Sequence, residues 1–245
     1  MDGSAPARFP SQLLSRREVA ERTWAFQFQR PPRFEFIAGQ FMDVTLDSPK
    51  DTDSEGNTRA FSIASPPHED SLMVTTRLRD TAFKRNLASL PLGTVVTLAA
   101  ASGELLLHHD ASRPAVMLAG GIGITPFRSI LLDATRRKLG HEMSLFYSNR
   151  RPEDAPFLQE LEGLARENPR FHFVPTMTAM DQSHRPWKGE RGRIDLAMMT
   201  RHSPGSSAPV YYLAGPPRLV NELHAMLSRA GIAEPSLRAE TFDGY

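Results

Sequence analysis

Cysteine is absent from this sequence. That excludes disulfides, thiol nucleophiles, zinc–thiolate centres and cysteine-ligated iron–sulfur clusters. Long apolar runs are missing too, and no stretch approaches the ~18–20 residues that a membrane-spanning helix needs. The opening MDGSAPARFPSQLL has no apolar stretch of the kind that a secretory signal carries. Neither sign of charge dominates. Lys and Arg number 29 against 28 Asp and Glu, a formal charge of +1, which gives no global argument for nucleic acid or an anionic membrane. Low-complexity tracts and solenoid-type repeats are not found. Together these absences predict a cytoplasmic protein with no membrane span and no nucleic-acid partner.

What is present suffices for a sizeable core: 245 residues, 40% hydrophobic and 23% charged, enough for one large domain or two small ones. Two periodicities divide the chain. Up to about residue 108 it reads as strands, at 12–19, around Trp24–Phe26–Phe28, and at 41–46, 59–65, 72–77, 95–98 and 105–107. Polar or Pro/Gly-rich breaks separate these runs. One helix is expected at 81–90 with Asp80 as its N-cap. Short strands with a single helix predict a closed antiparallel barrel. Beyond residue 113, strands at 114–119, 143–148, 171–176, 209–214 and 237–241 alternate with helices at 126–138, 155–167, 194–200 and 217–230. Strand starts recur roughly every 30 residues, the length of one βαβ unit, which predicts an α/β domain with a doubly wound, five-stranded parallel sheet. The expected domains are 1–110 and 111–245.

A doubly wound sheet binds ligands outside the carboxyl ends of its strands. The first such end is Gly120-Gly121-Ile122-Gly123-Ile124-Thr125-Pro126. Glycines let a backbone turn tightly and approach a pyrophosphate, and the next helix directs its positive N-terminus there. Pro126 is expected to open that helix. A tight turn with no ligand has the same composition. Ala214-Gly215-Pro216-Pro217 is a second glycine turn feeding a helix. After the last strand the chain ends in Glu240-Thr241-Phe242-Asp243-Gly244-Tyr245, either a ligand-edge peptide or a frayed tail. In the barrel, Arg59-Ala60-Phe61-Ser62 puts a cation, an aromatic and a hydroxyl on one strand, which is also what an ordinary strand with an exposed arginine contains. Hydrolase signatures do not occur: there is no Gly-x-Ser-x-Gly elbow and no His-x-x-x-His pair beside a glutamate. His108 and His109 read as surface or hinge residues, and no metal site is expected.

These four motifs occur in the order and at roughly the separations of the ferredoxin–NADP reductase superfamily, which the chain resembles from about Gln12 to Tyr245. The resemblance implies a flavin-binding barrel over 1–110 and an NAD(P)-binding domain over 111–245, with hydride passing between nicotinamide and flavin. It implies that Arg59 neutralises the flavin nucleotide's phosphates, Phe61 packs on the isoalloxazine, and Ser62 sits near flavin N5. Thr75, Thr76 and Arg77 would lie beside the ring. Phe83 and Lys84 open the barrel helix as a pyrophosphate site. Gly120, Gly121, Gly123, Thr125, Pro126, Gly215, Pro216 and Pro217 would cradle the dinucleotide. Asn149 and Arg150, just past the second strand of the sheet, would meet its 2′-phosphate or ribose, so NADP and NAD both remain open. Arg151, Arg185 and Lys188 are further candidates. Ser62, Glu240 and Phe242 would shape the hydride-transfer site, and Tyr245 would fold over the flavin or its adenine. The family's usual cysteine before Gly-Pro-Pro is Ala214 here.

The enzyme so implied is an FAD-dependent NAD(P)H oxidoreductase of the ferredoxin reductase type. Bound FAD is preferred because Lys84 and Arg85 offer charge for a pyrophosphate. With no iron–sulfur cluster of its own, the chain would pass electrons to a separate acceptor, a ferredoxin, flavodoxin or oxygenase component. Two other readings stand beside it: a reductase of free flavin or ferric chelates, and a non-catalytic flavin- or nucleotide-binding regulatory module.

Overall fold

Alternation decides the first sheet, and a computed structural model describes it within residues 7–202 and 208–242. Tyr245 and residues 203–207 lie outside the described residues. Strands β1 (Arg8–Ala20), β2 (Thr23–Gln29), β3 (Phe41–Thr45), β4 (Thr58–Ser62), β5 (Ser71–Arg77) and β6 (Val95–Ala99) form an antiparallel sheet in the order β4-β3-β6-β1-β2-β5. β1 serves two partners. Its first half pairs with β6 and its second half with β2, with register shifts after Leu13 and Glu18. Such irregularities bend a strand around a corner. The edge strands then meet: Ala64 N–H, just past β4, donates to Met73 O on β5 at 2.8 Å. That contact closes the expected barrel. Phe26, Phe28, Phe34, Met42 and Leu98 fill its interior with almost no exposed surface.

Helix α1 (Ala82–Ser89) seals one end of the barrel with Phe83 and Leu87. Its N-cap is Thr81, whose hydroxyl accepts from Lys84 N, and not the expected Asp80. Asp80 pairs with Arg85 instead. Threonine caps almost as well as aspartate, so the sequence could not separate the neighbours. Residues 105–107 form no strand. Leu105 is buried, but no neighbouring strand takes up the segment's backbone, and Leu106 O accepts from the Arg238 guanidinium.

The second half is a sheet of β7 (Ala115–Gly120), β8 (Met143–Asn149), β9 (Phe171–Met177), β10 (Glu190–Arg191), β11 (Val210–Gly215) and β12 (Leu237–Thr241). All pairings are parallel, in the order β10-β9-β8-β7-β11-β12. The expected five strands are thus six. β10 is two residues long and carries no apolar run, so periodicity had nothing to detect. Along β7, Ala115, Met117 and Ala119 face a core with helices α2 (Ile124–Arg136) and α3 (Leu158–Glu167). Val116 and Leu118 face the other core, with α4 (Leu196–His202) and α5 (Pro217–Arg229). The first of these cores continues into Ala25, Ala38, Ala64 and Met73 of the barrel, so apolar burial joins the two halves.

Two glycine turns touch at the carboxyl end of this sheet. After β7 the chain makes a single 3₁₀ turn, Gly121–Gly123, before α2 begins at Ile124. Pro126 is therefore the third residue of α2 and not the first, still within the turn that needs no intrahelical N–H donors. A Cβ on Gly123 would lie 2.0 Å from Ala214 O, a clash that backbone cannot relieve cheaply. We expect Gly123→Ala to destabilise the fold by roughly 1–3 kcal/mol, read as a lower midpoint in chemical denaturation. The control is Gly140→Ala, where a Cβ would meet only the Ala111 Cβ at 3.6 Å, with a change within about 0.5 kcal/mol.

Candidate active site

A cleft of about 1220 Å³ runs between the barrel and the carboxyl edge of the parallel sheet. β4 contributes Arg59, Phe61 and Ser62, and β5 contributes Thr75, Thr76 and Arg77. Lys84 closes one end, while Thr125, Glu240 and Phe242 reach in from the sheet. Ten of the sequence-derived residues therefore meet around one space. Two hydroxyls in its walls, Ser62 Oγ and Thr75 Oγ1, are buried without a hydrogen-bond partner among the described residues. A buried unpaired hydroxyl costs about 1–3 kcal/mol, so both suit a ligand with a polar edge, such as a flavin ring.

Cations gather at one end, where Arg79 joins Arg59 and Lys84 on the wall. Burial, then the positive charges of Arg79 and Arg59, push the Lys84 ammonium down to about 8. Such a site gains from a phosphate that restores the lost solvation. Arg59 lies over the Phe83 ring at 5.3 Å. Phe83 is buried behind Phe61, with ring centroids 5.8 Å apart, so it supports the wall without being part of it.

A second cavity, of about 240 Å³, adjoins the first. Gly120, Gly121, Asn149, Arg150 and Pro216 line it, and Arg77 and Ile122 border both spaces. Gly121 holds φ +52, a left-handed conformation that glycine adopts at little cost. Asn149 Nδ2 is buried there with no partner among the described residues, a donor suited to a phosphate or ribose oxygen. Arg150 reaches Gln182 Oε1 at 2.7 Å. Arg151 is held by Asp154 at 2.8 Å and by Glu21 of the barrel at 2.6 Å. Arg150 is thus the more available of the two for a ligand.

Four of the remaining glycine-turn residues stand off the cavity walls. Gly123 packs on Ala214, Pro126 is buried inside α2, and Pro217 opens α5. Gly215 lies against the Gly120 backbone with φ +152. Their contribution is to let the two turns approach. Sequence reading missed Glu55, Arg79, Arg238 and the stretch from Gly103 to His109, all of which border the cleft. Arg79 follows Arg77 at strand spacing and could have been found that way. The 103–109 stretch gives no such signal. His108, expected at the surface or a hinge, is buried. Its Nδ1 lies 2.8 Å from Tyr212 Oη, and its Nε2 lies 2.9 Å from Arg113 O.

β12 runs beside β11 in a register that sets Glu240 opposite Ala214, and Phe242 N–H donates to Gly215 O at 3.0 Å. Burial raises the Glu240 carboxyl from 4.5 to about 7, so it can hold or release a proton near neutrality. A raised folded-state value stabilises the fold most below pH 4.5, and that contribution is lost as pH rises through 7. We expect Glu240→Gln to remove this component. The wild-type melting temperature should fall more between pH 5 and pH 8 than that of the variant, and parallel curves would show that Glu240 titrates normally.

Comparison with known proteins agrees with this geometry. Residues 117–225 match the model of the oxidoreductase NAD-binding domain. Across 99% of this chain and 70% of the relative, the sequence is 26% identical to reductase component 1 of terephthalate 1,2-dioxygenase from Comamonas. Ferredoxin–NADP reductase B of Sorangium cellulosum is 25% identical over 96% of this chain and 98% of its own. Among solved structures, a ferredoxin NADP+ reductase from Neisseria gonorrhoeae with bound FAD and NADP superposes with a TM-score of 0.79 at 23% identity, covering 96% of this chain and 98% of that one. With the barrel, the parallel sheet and the ordered motifs in place, residues 117–225 carry an oxidoreductase NAD-binding domain and the chain as a whole is similar in sequence and fold to reductases of the ferredoxin–NADP type. It is an oxidoreductase of the ferredoxin reductase type.

Proposed function

We propose that this protein takes hydride from NAD(P)H onto bound FAD in the large cleft and passes electrons to a separate acceptor protein. The observation that carries this reading is the pair of adjoining cavities. One has unpaired hydroxyls and a cationic end; the other is bordered by the glycine turn at the N-terminus of α2; Arg77 and Ile122 form the wall between them. When bound, the flavin supplies the electronic chemistry, accepting two electrons and releasing them singly.

The chain's own residues bind, orient and exclude water. Ser62 and Thr75 donate to the polar edge of the ring, and Phe61 covers its face. Arg59, Arg79 and Lys84 take the phosphates. Asn149 and Arg150 hold the coenzyme beyond the glycine turn, with residues 1–110 serving the flavin and 111–245 the coenzyme. Phe242 shields the junction from water, and Glu240 holds a proton beside it. Oxygenase systems supply the model for the acceptor, because the terephthalate dioxygenase reductase is a component of one. With no cysteine, this chain ligates no iron–sulfur cluster through thiolates. In this reading its acceptor is a separate ferredoxin, flavodoxin or oxygenase component. Among the described residues no helix is long and apolar enough to cross a membrane.

The purified protein should be yellow, release FAD at about one per chain, and bleach on anaerobic addition of NADPH or NADH. A colourless chain that takes up neither FAD nor FMN would refute the reading. Asn149→Ala should raise KM for the coenzyme roughly threefold to tenfold, the value of one hydrogen bond, with FAD content unchanged. Loss of FAD in that variant would place Asn149 outside the coenzyme site.

A further inference from the structure

Both terminal nitrogens of Arg59 are already engaged by the protein's own loop. Nη1 donates to the carbonyls of Glu55, Gly56 and Thr58 at 2.8, 3.1 and 2.8 Å. Nη2 pairs with Asp53 Oδ1 at 3.2 Å and Glu55 Oε2 at 2.8 Å. The other oxygen of Asp53 accepts from Ala82 N, at the first residue of α1, at 3.1 Å. A guanidinium and a helix N-terminus are two preferred partners of a phosphate. Here one carboxylate holds both.

We infer that the acidic loop carrying Asp53 and Glu55 sets the specificity of the flavin site, by making phosphate binding an exchange of carboxylate for phosphate at Arg59. This rests on the flavin reading above. The loop is built to stay close. At one end Lys50 N donates to Asn86 Oδ1 and Asn86 Nδ2 to Asp51 Oδ1, each at 2.8 Å. At the other, Leu46 N donates to Asn57 O at 2.9 Å. Between these anchors the chain turns at Gly56, φ +74, whose N–H meets Asp53 O. Glu55 sits on the cleft wall with its side chain 70% exposed, so it can swing into solvent when a phosphate arrives.

The consequence is chemical selectivity. A flavin without phosphate, riboflavin, has no group to compete for Arg59 and leaves the loop in place. FMN and FAD must displace the acids, so at Arg59 their advantage over riboflavin is only the difference between phosphate and carboxylate. Flavin nucleotides therefore bind more weakly, and exchange faster, than the three cations Arg59, Arg79 and Lys84 would allow with the loop neutral.

The test is titration of the flavin-stripped full chain with FAD, FMN and riboflavin, followed by quenching of flavin fluorescence. Wild type is compared with Glu55→Gln and with Asp53→Asn/Glu55→Gln, in which asparagine keeps an acceptor for Ala82 N–H. Dissociation constants for FAD and FMN should fall about tenfold in the double variant, the value of one charge-assisted contact. Riboflavin should stay within about twofold. If the double variant does not fold, Glu55→Gln alone carries the test, because that carboxylate is largely exposed and its ion pair is with Arg59; it should tighten FAD and FMN about threefold. Equal changes for all three flavins, unchanged nucleotide affinity or weaker nucleotide binding would overturn the exchange at Arg59 while leaving the flavin site standing. A wild-type chain that binds none of the three would overturn the flavin reading itself.

Discussion

One buried guanidinium fixes the cleft. Arg128, on α2, has a side chain only 5% exposed. It meets both oxygens of Glu160 on α3 at 2.8 and 2.6 Å and donates to Ala64 O of the barrel at 2.6 Å. Its plane lies 4.8 Å from the centre of the Phe157 ring, and Phe157 is held at φ +61 ahead of α3. Ala64 stands two residues past Ser62, and α2 starts at the glycine turn. A single side chain thus ties the strand that lines the large cleft to the helix that begins at the small one. Ser129 Oγ adds a bond to Ser65 O at 2.8 Å. Glu160 is partly exposed, but its removal would leave the buried Arg128 guanidinium without its carboxylate, which is destabilising. The distance between the two cavities depends on it.

Sequence pattern revealed most of this architecture, for reasons that particular residues make plain. Phe26 and Phe28 alternate because the barrel buries one face. Val116 and Leu118 interleave with Met117 and Ala119 because a parallel sheet buries both. The glycine turns were legible because close backbone approach leaves only one residue type possible. What stayed hidden acts through tertiary contact. Arg128 lies on a helix among apolar neighbours, and nothing nearby in sequence marks it as the partner of Ala64, 64 residues earlier. The acids of residues 51–55 fall in a polar break between expected strands, and only folding brings them to Arg59. Residues 105–107 looked like a strand because Leu105-Leu106-Leu107 is apolar, but Leu105 and Leu107 are apolar for packing in the core that joins the halves.

Burial acts on the two ends of the large cleft in opposite chemical senses with the same result. Lys84 is pushed down to about 8 and Glu240 up to about 7. Both move toward neutrality, as desolvation requires. The anionic end of a ligand restores the charge on Lys84. Glu240 sits opposite Ala214, and with its carboxyl raised to about 7 it can hold a proton near neutrality. The cleft thus carries a buried cation on the barrel helix and a buried carboxyl on β12, both held toward their neutral forms.

The strand order carries a kinetic consequence. β7 lies at the centre of its sheet, beside β8, which follows it closely in the chain, and β11, whose Val210 pairs with Ala115 about 95 residues away. Pairing across such a span must bear a large loop-closure entropy before any contact rewards it, and parallel sheets dominated by such contacts fold slowly. The seam where Gly123 meets Ala214 and Gly120 meets Gly215 can form only once β11 has docked. The small cavity, lined by Gly120 and Gly121 of this seam, therefore takes shape only after that long-range pairing is made.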